Sequence, residues 1–299
     1  MATRDRIDLL LLGVIWGASF LFTRMTAAEF GAFALVEIRL AIGAVILTAL
    51  LASRGGFREL RGAWTPAAVV GFFNSALPFA LFAYALVFIT AGTAAVINAT
   101  TPLFGALVAY LWLHDRMTVP RAIGLAVGFC GVVLSAWDKI SLSGGSTTLA
   151  VFATLGASLS YGVGVNYAKR RMIGVAPLAQ ATGSSIAAAL LLLPLAVAHW
   201  PSEMPSVKGW LCVVALGVFC TALAYILYFR LITRVGPAKA TTVTYLIPMF
   251  GVLWGYLFLH EDVTVHMLIA CAIIVFGTAL ASGNIRLPRR TEGAATGRA

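Results

Sequence analysis

The sequence predicts an all-α integral membrane protein in which ten transmembrane helices form two inverted five-helix repeats. Three observations support this prediction: an apolar composition, ten apolar segments between short polar gaps, and an internal duplication. Of the 299 residues, 61% are apolar and 11% are charged, against roughly 25% charged residues in a soluble domain. Too few polar side chains are present to cover a soluble core, which excludes a soluble enzyme and a disordered linker.

The net charge of +10 does not indicate a nucleic-acid partner. The 21 basic residues are spread over many short gaps and form no stripe with interleaved aromatic residues. The four cysteines lie in apolar segments without metal-ligand spacing. We expect no nucleic acid, no metal and no cofactor. The expected partners are a small-molecule substrate and the lipid bilayer, and the expected assembly is a monomer or a weak homodimer.

Polar gaps and Gly or Pro residues divide the chain into ten segments of about 20 residues, the length that spans a bilayer. We expect helices, because a helix satisfies its own backbone hydrogen bonds in lipid, and alternating ten-residue strands are absent from the sequence. The predicted spans are 8–26, 33–53, 67–88, 91–113, 119–137, 148–168, 176–198, 208–230, 236–259 and 264–283.

Lys and Arg predict the orientation, because cationic segments resist translocation. With a cytoplasmic N-terminus, 17 of the 21 basic residues lie inside, three lie outside and Arg39 lies within the second span. Both termini are therefore expected in the cytoplasm. The first span follows Arg4 and Arg6 and resembles a secretory signal, but the charge distribution and the duplication both require that it is retained.

A shift of 146 residues superposes the two halves of the chain. The matches include Trp64 on Trp210, Pro102 on Pro248, and Leu113-His114-Asp115 on Leu259-His260-Glu261. Five helices cross the membrane an odd number of times, so the second copy must be inverted. The predicted domains are residues 1–141, residues 142–285 and a basic cytoplasmic tail, 286–299. Inverted repeats are typical of secondary transporters, whose substrate site lies near the midplane.

Polar residues inside the spans are candidate cavity residues, since a buried polar group in lipid needs a partner or a wet cavity. The candidates are Asn74 and Pro78 in the third span, Asn98 and Pro102 in the fourth, and Thr244 and Pro248 in the ninth. Each proline also frees a backbone carbonyl. Helix kinks and hydrogen bonds between helices are the alternative interpretation.

Aromatic residues are expected to form the walls of this cavity. Trp16, Ser19 and Phe20 share one face of the first span, Tyr161 and Asn166 lie in the sixth, and Tyr84 and Tyr245 are expected to close the cavity. The alternative is that these rings are interface anchors.

Glu37 and Arg39 enter the second span two residues apart, so they do not share a helix face. We interpret Arg39 first as structural, bonded to carbonyls or to a distant carboxylate. Binding of a substrate carboxylate and a role in proton coupling remain alternatives.

Taken together, these features resemble the EamA-type branch of the drug/metabolite transporter superfamily, over about residues 8–283. Trp16-Gly17, Arg39, Pro102 and Pro248 are the strongest points of resemblance. In that family an acid usually follows helices four and nine, and here Asp115, in place of the common Glu, and Glu261 occupy these positions. The resemblance implies a bacterial inner-membrane exporter with a path lined by Trp16, Asn74, Pro78, Asn98, Tyr161 and Thr244. It is most similar to the YddG-type aromatic amino-acid exporters.

The expected function is therefore export of small metabolites, amino acids first and aromatic ones among them, by alternating access of the two repeats. A multidrug or nucleotide-sugar carrier and a passive channel are the alternatives. A phosphate-bearing substrate would need several cationic residues in the cavity, and Arg39 is the one candidate. We expect no enzymatic activity, because the spans contain no HExxH motif, paired aspartates or Ser-His couple.

Overall fold

Helices make up almost all of the structure, and the residues that it describes include no strand. The computed structural model describes residues 1–142 and 144–283; the predicted tail, 286–299, lies outside this range. The main helices are α1 (Thr3–Ser53), α2 (Trp64–Phe88), α3 (Ala91–Leu113), α4 (Val119–Leu142), α5 (Gly144–Arg171), α6 (Pro177–Ala198), α7 (Val207–Val235), α8 (Thr241–Leu259) and α9 (Val265–Ala281). A short helix, Pro237–Ala240, precedes α8.

Within this part of the chain, seven helices are long and apolar enough to cross a membrane, and shorter apolar stretches are Val119–Ser135 of α4 and Val265–Ala281, which is α9. The prediction of a helical membrane protein is confirmed at this level. One local feature differs from expectation: the gap predicted at residues 27–32 is helical on both sides of Gly31.

Helix α1 is 51 residues long because two arms, residues 3–30 and 32–53, meet at Gly31. This glycine has φ 69° and ψ 167°, a conformation that only glycine adopts without steric cost. Along the first arm, Glu29 accepts a hydrogen bond from Ser206 beside the start of α7, and Asp8 accepts one from Arg230 near the end of α7. The first arm therefore runs antiparallel to α7.

The second arm of α1 runs parallel to the same helix. A Cβ placed on Gly217 would lie 3.2 Å from the carbonyl oxygen of Arg39, and further along both helices a Cβ placed on Gly43 would lie 3.2 Å from Thr221 Cβ. Because one arm is antiparallel and the other parallel to α7, the chain reverses its direction at Gly31.

The two halves share backbone features at positions related by the 146-residue shift. A π-helical turn occurs at Phe72–Ala76 in α2 and another at Leu216–Leu223 in α7. His114 and His260, which follow α3 and α8, both have positive φ, 58° and 52°. The next amide in each half bonds to the carbonyl six residues earlier, at 3.1 Å in both cases. The two halves therefore share local backbone geometry at these positions.

Glycines bring two pairs of helices into close contact. A Cβ on Gly17, in the first arm of α1, would lie 3.0 Å from the amide nitrogen of Gly251 in α8. A Cβ on Gly162, in α5, would lie 2.9 Å from the amide nitrogen of Gly105 in α3. Such small residues allow helix backbones to approach closely in a membrane. These contacts place α1 against α8 and α5 against α3.

Candidate functional site

A cavity of about 400 Å³ lies between the two arms of α1 and helices α2, α3, α5, α7 and α8. Its volume is within the range of small-molecule binding sites. The residues predicted from sequence that lie on its wall are Trp16, Ser19, Phe20, Arg39, Asn74, Asn98, Pro102, Tyr161 and Thr244. The structure thus brings together side chains that are up to 228 residues apart in the chain.

Aromatic side chains from different helices meet along the wall of this cavity. Between ring centroids, Trp16 lies 5.3 Å from Tyr228 and Phe20 lies 5.3 Å from Phe82. Phe82 in turn lies 6.3 Å from Tyr161. Edge-to-face and tilted contacts at these separations are favourable for aromatic rings. The wall can cover the flat, apolar part of a small molecule.

Asn98 and Pro102 lie on the wall where α3 is interrupted. Thr101 Oγ1 donates to Asn98 Oδ1 at 3.1 Å. The interruption frees the carbonyl of Ala99, which accepts a hydrogen bond from Thr278 Oγ1 at 3.0 Å. This bond satisfies the free carbonyl, as a backbone group in a membrane requires. The break in α3 therefore exposes the Asn98 side chain to the cavity without leaving the carbonyl of Ala99 unpaired.

The amide oxygen of Asn74 is enclosed and has no hydrogen-bond partner within the described chain, although Asn74 borders the cavity. This oxygen occupies the space that a Cβ would take on Gly164. An unpaired buried acceptor costs roughly 1–3 kcal/mol. Glycine at position 164 therefore makes room for a side chain whose amide oxygen is satisfied by no group of the described chain.

Arg39 and Glu37 lie in different environments. Arg39 is 5% exposed and lies on the cavity wall, and its Nε donates to Thr221 Oγ1 at 2.9 Å. Its Cζ lies 3.9 Å from the centroid of the Phe79 ring. Glu37 lines a separate groove beside α6. The two residues form no ion pair, as their spacing along the helix predicts.

The end of the bundle that contains Glu261 is held by a compact polar cluster. Glu261 accepts hydrogen bonds from the backbone amides of Ala91, at 2.8 Å, and Gly92, at 3.1 Å. Arg24 lies 4.0 Å from Glu261 and also donates to the carbonyl of Leu86. A carboxylate at a helix N-terminus is favoured by the unpaired amides and the helix dipole. This cluster, the Glu261 cluster, joins α1, α2 and α3 to the end of α8.

At the opposite end, the residue equivalent to Glu261 makes a weaker contact. Asp115 lies 3.8 Å from Lys169, and the two side chains are 39% and 65% exposed. The position equivalent to Ala91 is Pro237, which has no backbone N–H to donate. One of the two amides that bind Glu261 therefore has no counterpart for Asp115.

The cavity is closed toward Glu261 and reaches the surface at the other end. Leu35 and Val36 are 0% exposed and Leu86 is 1% exposed, and these residues line the end near Glu261. Thr241, at the start of α8, lines the opposite end and is exposed. The cavity is therefore open at the Asp115 end and closed at the Glu261 end.

Several residues predicted from sequence do not lie on the cavity wall. They are Pro78, Tyr84, Asn166, Tyr245 and Pro248. Glu37, which the sequence predicts as a structural or coupling residue, also lies away from the wall. The two prolines are buried between helices. The ring of Tyr84 packs on Phe88, with 5.2 Å between centroids. The hydroxyl groups of Tyr245 and Ser282 are 2.8 Å apart.

Sequence reasoning missed wall residues on α2 and α7. Phe79 and Phe82 lie on the wall beside Asn74, and Tyr225 and Tyr228 lie on it three residues apart. The tyrosines had a usable signal, because two hydroxyl groups at helical spacing inside a span indicate a polar face. The phenylalanines carry no polar atom of their own, and only helical spacing from Asn74 could have placed Phe82 on the same face of α2.

The EamA-like transporter family matches residues 7–137 and 148–283. The chain is 26% identical to the uncharacterized transporter YvbV of Bacillus subtilis (strain 168), over 93% of this chain and 91% of that protein. It is 27% identical to the uncharacterized inner membrane transporter YedA of Escherichia coli (strain K12), over 91% and 88%. It is 28% identical to a protein of Streptantibioticus cattleyicolor named "Probable terminal-alkyne amino-acid exporter", over 97% of each chain.

One solved structure, described as "Crystal structure of protein", superposes with a TM-score of 0.67 at 21% sequence identity. The alignment covers 94% of this chain and 97% of that chain. The likeness shows that the two chains share a fold over nearly their whole lengths.

Proposed function

Because the chain belongs to the EamA-like transporter family, within the drug/metabolite transporter superfamily, we propose that it is a secondary transporter that exports amino acids, aromatic ones among them. The observation that supports this most directly is a central cavity with aromatic walls that is closed at one end and open at the other. The relative of Streptantibioticus cattleyicolor named "Probable terminal-alkyne amino-acid exporter", which aligns over nearly the whole chain, is in keeping with this substrate class.

The proposed architecture has ten spans in two inverted five-helix repeats. The reversal at Gly31 divides α1 into two crossings of the bundle. The repeated π-helical turns and the paired contacts of Gly17 with Gly251 and of Gly162 with Gly105 support the duplication. Since each repeat has an odd number of spans, the copies have opposite polarity, as in other secondary transporters.

The proposed location is a bacterial inner membrane with both termini in the cytoplasm. The excess of Lys and Arg on one side supports this orientation, in which the cavity opens toward the cytoplasm and the Glu261 cluster closes it toward the outside. Epitope tags placed after Arg290 and beside Lys208 should be accessible from opposite sides. Tags accessible from the same side would contradict both the orientation and the inversion.

The proposed mechanism is alternating access, in which the two repeats rock around a fixed central site. Closing the Asp115 end and opening the Glu261 cluster would expose the same wall residues to the other compartment. A passive channel would instead give transport that does not saturate. Exchange of labelled for unlabelled substrate in proteoliposomes should saturate with substrate concentration, and a linear dependence would indicate a channel.

Export-dependent resistance to toxic analogues of aromatic amino acids tests the function in cells. The wild-type chain should confer resistance. Trp16→Ala, Asn74→Ala and Asn98→Ala should abolish it at unchanged membrane expression, because each removes a wall side chain. Unaltered resistance in all three variants would place the pathway elsewhere. Transport of no amino acid, with or without a proton gradient, would contradict the proposed function.

A further inference from the structure

Arg39 gives the cavity a single positive charge. Among the described residues that line it, the others are apolar, aromatic or neutral polar side chains, and none is acidic. Burying a guanidinium in the middle of a membrane protein is expensive unless it is paired. The composition of the wall therefore favours a ligand with one negative charge.

The guanidinium uses only part of its hydrogen-bonding capacity within the described chain. Nε donates to Thr221 Oγ1 at 2.9 Å, and no carboxylate oxygen lies within 4.0 Å of the group. Neither Nη makes a hydrogen bond to the described residues, and Arg39 borders the cavity. The two Nη groups form a fork of the kind that binds a carboxylate through two parallel hydrogen bonds.

The surrounding residues fix the position of this fork. Thr221 donates its own proton to the carbonyl of Leu216 at 3.1 Å, which leaves its oxygen to accept from Arg39. This bond lies in the π-helical turn Leu216–Leu223 of α7. On the other side, the Phe79 ring lies 3.9 Å from Cζ, close enough for a cation–π contact. The guanidinium is thus held from α7 and α2 before any ligand arrives.

We propose that Arg39 is the carboxylate-binding residue of the transport site, and that the substrate is a small molecule with one carboxylate and an apolar body. Trp16, Phe20, Phe82 and Tyr228 would cover the apolar body. This inference rests on the proposed transport function and adds the chemical group that is recognised. It predicts that the uncharged amide and ester forms of a substrate bind weakly, because they cannot neutralise the buried charge.

Ligand binding to the purified full-length chain tests this proposal without knowledge of the physiological substrate. The probes are 3-phenylpropanoate, its uncharged isostere 3-phenylpropanamide, and L-phenylalanine. The measurement is the shift in the unfolding temperature of the protein as the concentration of each ligand is raised. The wild-type chain should bind the propanoate about 10- to 100-fold more tightly than the propanamide, as expected for a charged hydrogen-bonded pair.

Variants at three positions separate binding from a structural role. Arg39→Gln should remove the preference for the carboxylate, and Arg39→Lys should retain part of it, because the charge remains without the fork. Thr221→Val retains the charge of Arg39 but removes the hydrogen-bond acceptor of its Nε. Because Thr221 only positions the guanidinium, we expect this variant to lose less of the preference for the carboxylate than Arg39→Gln does. Lys208→Gln removes one exposed positive charge away from the cavity and should change nothing. If Arg39 only stabilised the fold, Arg39→Gln would lower the unfolding temperature without changing the ratio of the affinities for the propanoate and the propanamide.

Three results would overturn the proposal: equal affinities of the wild-type chain for the propanoate and the propanamide, an unchanged ratio in folded Arg39→Gln, or no binding of either carboxylate. The proposed function fails separately. If the chain binds carboxylates through Arg39 but moves no amino acid in proteoliposomes, the site stands and the transport assignment is wrong. If it moves amino-acid amides as well as amino acids, transport stands and the carboxylate site is wrong.

Discussion

Asn166 and Asn98 differ in what their amide groups contact, and this gives them different expected roles. Asn166 Nδ2 donates to the carbonyls of Gly105, at 2.9 Å, and Gly162, at 2.8 Å. Asn98 borders the cavity, and among the described residues its side chain bonds only to Thr101 Oγ1. The first amide joins α5 to α3, whereas the second remains available to a ligand.

We therefore expect Asn166→Ala to reduce stability by about 1 kcal/mol, the usual value of such a hydrogen bond between helices, with substrate affinity nearly unchanged. Asn98→Ala should do the reverse and weaken substrate binding with little loss of stability. Thermal unfolding and binding assays on both purified variants measure the two effects. A loss of affinity in folded Asn166→Ala as large as in Asn98→Ala would contradict this division.

Single residues show what the sequence could predict of the site. Trp16, Asn98 and Thr244 could be found because a polar or indole group inside an apolar span is unusual. Phe82 and Leu35 carry no polar atom, so their signal was limited to their helical spacing from Asn74 and Arg39, which mark the inward faces of the two spans. Asn166 has the same polar signal as Asn98, but its position around the helix directs it into a helix contact. Sequence therefore identifies polar residues in spans better than it identifies their surroundings.

At the scale of elements, the glycine contacts make corresponding predictions for the two halves. Gly17→Val should push α1 away from α8, and Gly162→Val should push α5 away from α3, because each added side chain would overlap a backbone. Overpacking of this kind costs roughly 1–3 kcal/mol. Both variants should lose thermal stability and transport together. Gly145→Val is the matched control, because a Cβ there would meet no atom within 4 Å.

Stability of either variant equal to that of Gly145→Val would show that the helices separate without cost at that contact. A loss confined to Gly17→Val would indicate that the duplicated contact is not equivalent in the two halves. Both variants must be compared at equal amounts of protein extracted from the membrane.

Helix bounds were predictable from apolar segments, but the connections between helices were not. Residues 27–32 contain small and polar side chains that suggest a loop, yet the chain needs only the positive φ of Gly31 to reverse direction. The π-helical turns were also unpredictable, because an extra residue in a helix leaves the apolar pattern of a fully apolar segment unchanged. These features depend on packing between helices rather than on local sequence.

At the scale of the whole molecule, the Glu261 cluster should determine how often its end opens. Glu261→Gln keeps the size of the side chain and removes the charge that faces Arg24 and two backbone amides. Charged hydrogen bonds contribute roughly 1.5–3 kcal/mol each, so we expect the population open at this end to rise about tenfold or more. Labelling of Leu86→Cys by a membrane-impermeant maleimide, with the native cysteines replaced, measures this opening.

Asp115→Asn is the control for this experiment. Its partner is an exposed lysine, and exposed ion pairs contribute about 0–1 kcal/mol. The rate of labelling at Leu86→Cys should therefore stay close to the rate in the chain that retains Asp115. Labelling at the same rate in Glu261→Gln and in the parent chain would show that the cluster does not restrain opening.

Pro237 has an energetic consequence for the transport cycle. A duplicated carrier with two equal closures would divide its dwell time evenly between the compartments. Pro237 lacks the backbone donor that Ala91 supplies to Glu261 in the other half, and a charged hydrogen bond of about 1.5 kcal/mol corresponds to a roughly tenfold bias in occupancy. Replacement by a residue that has an N–H should bring the two occupancies closer together. The resting bias of this carrier would then depend on an imino acid at the start of one short helix.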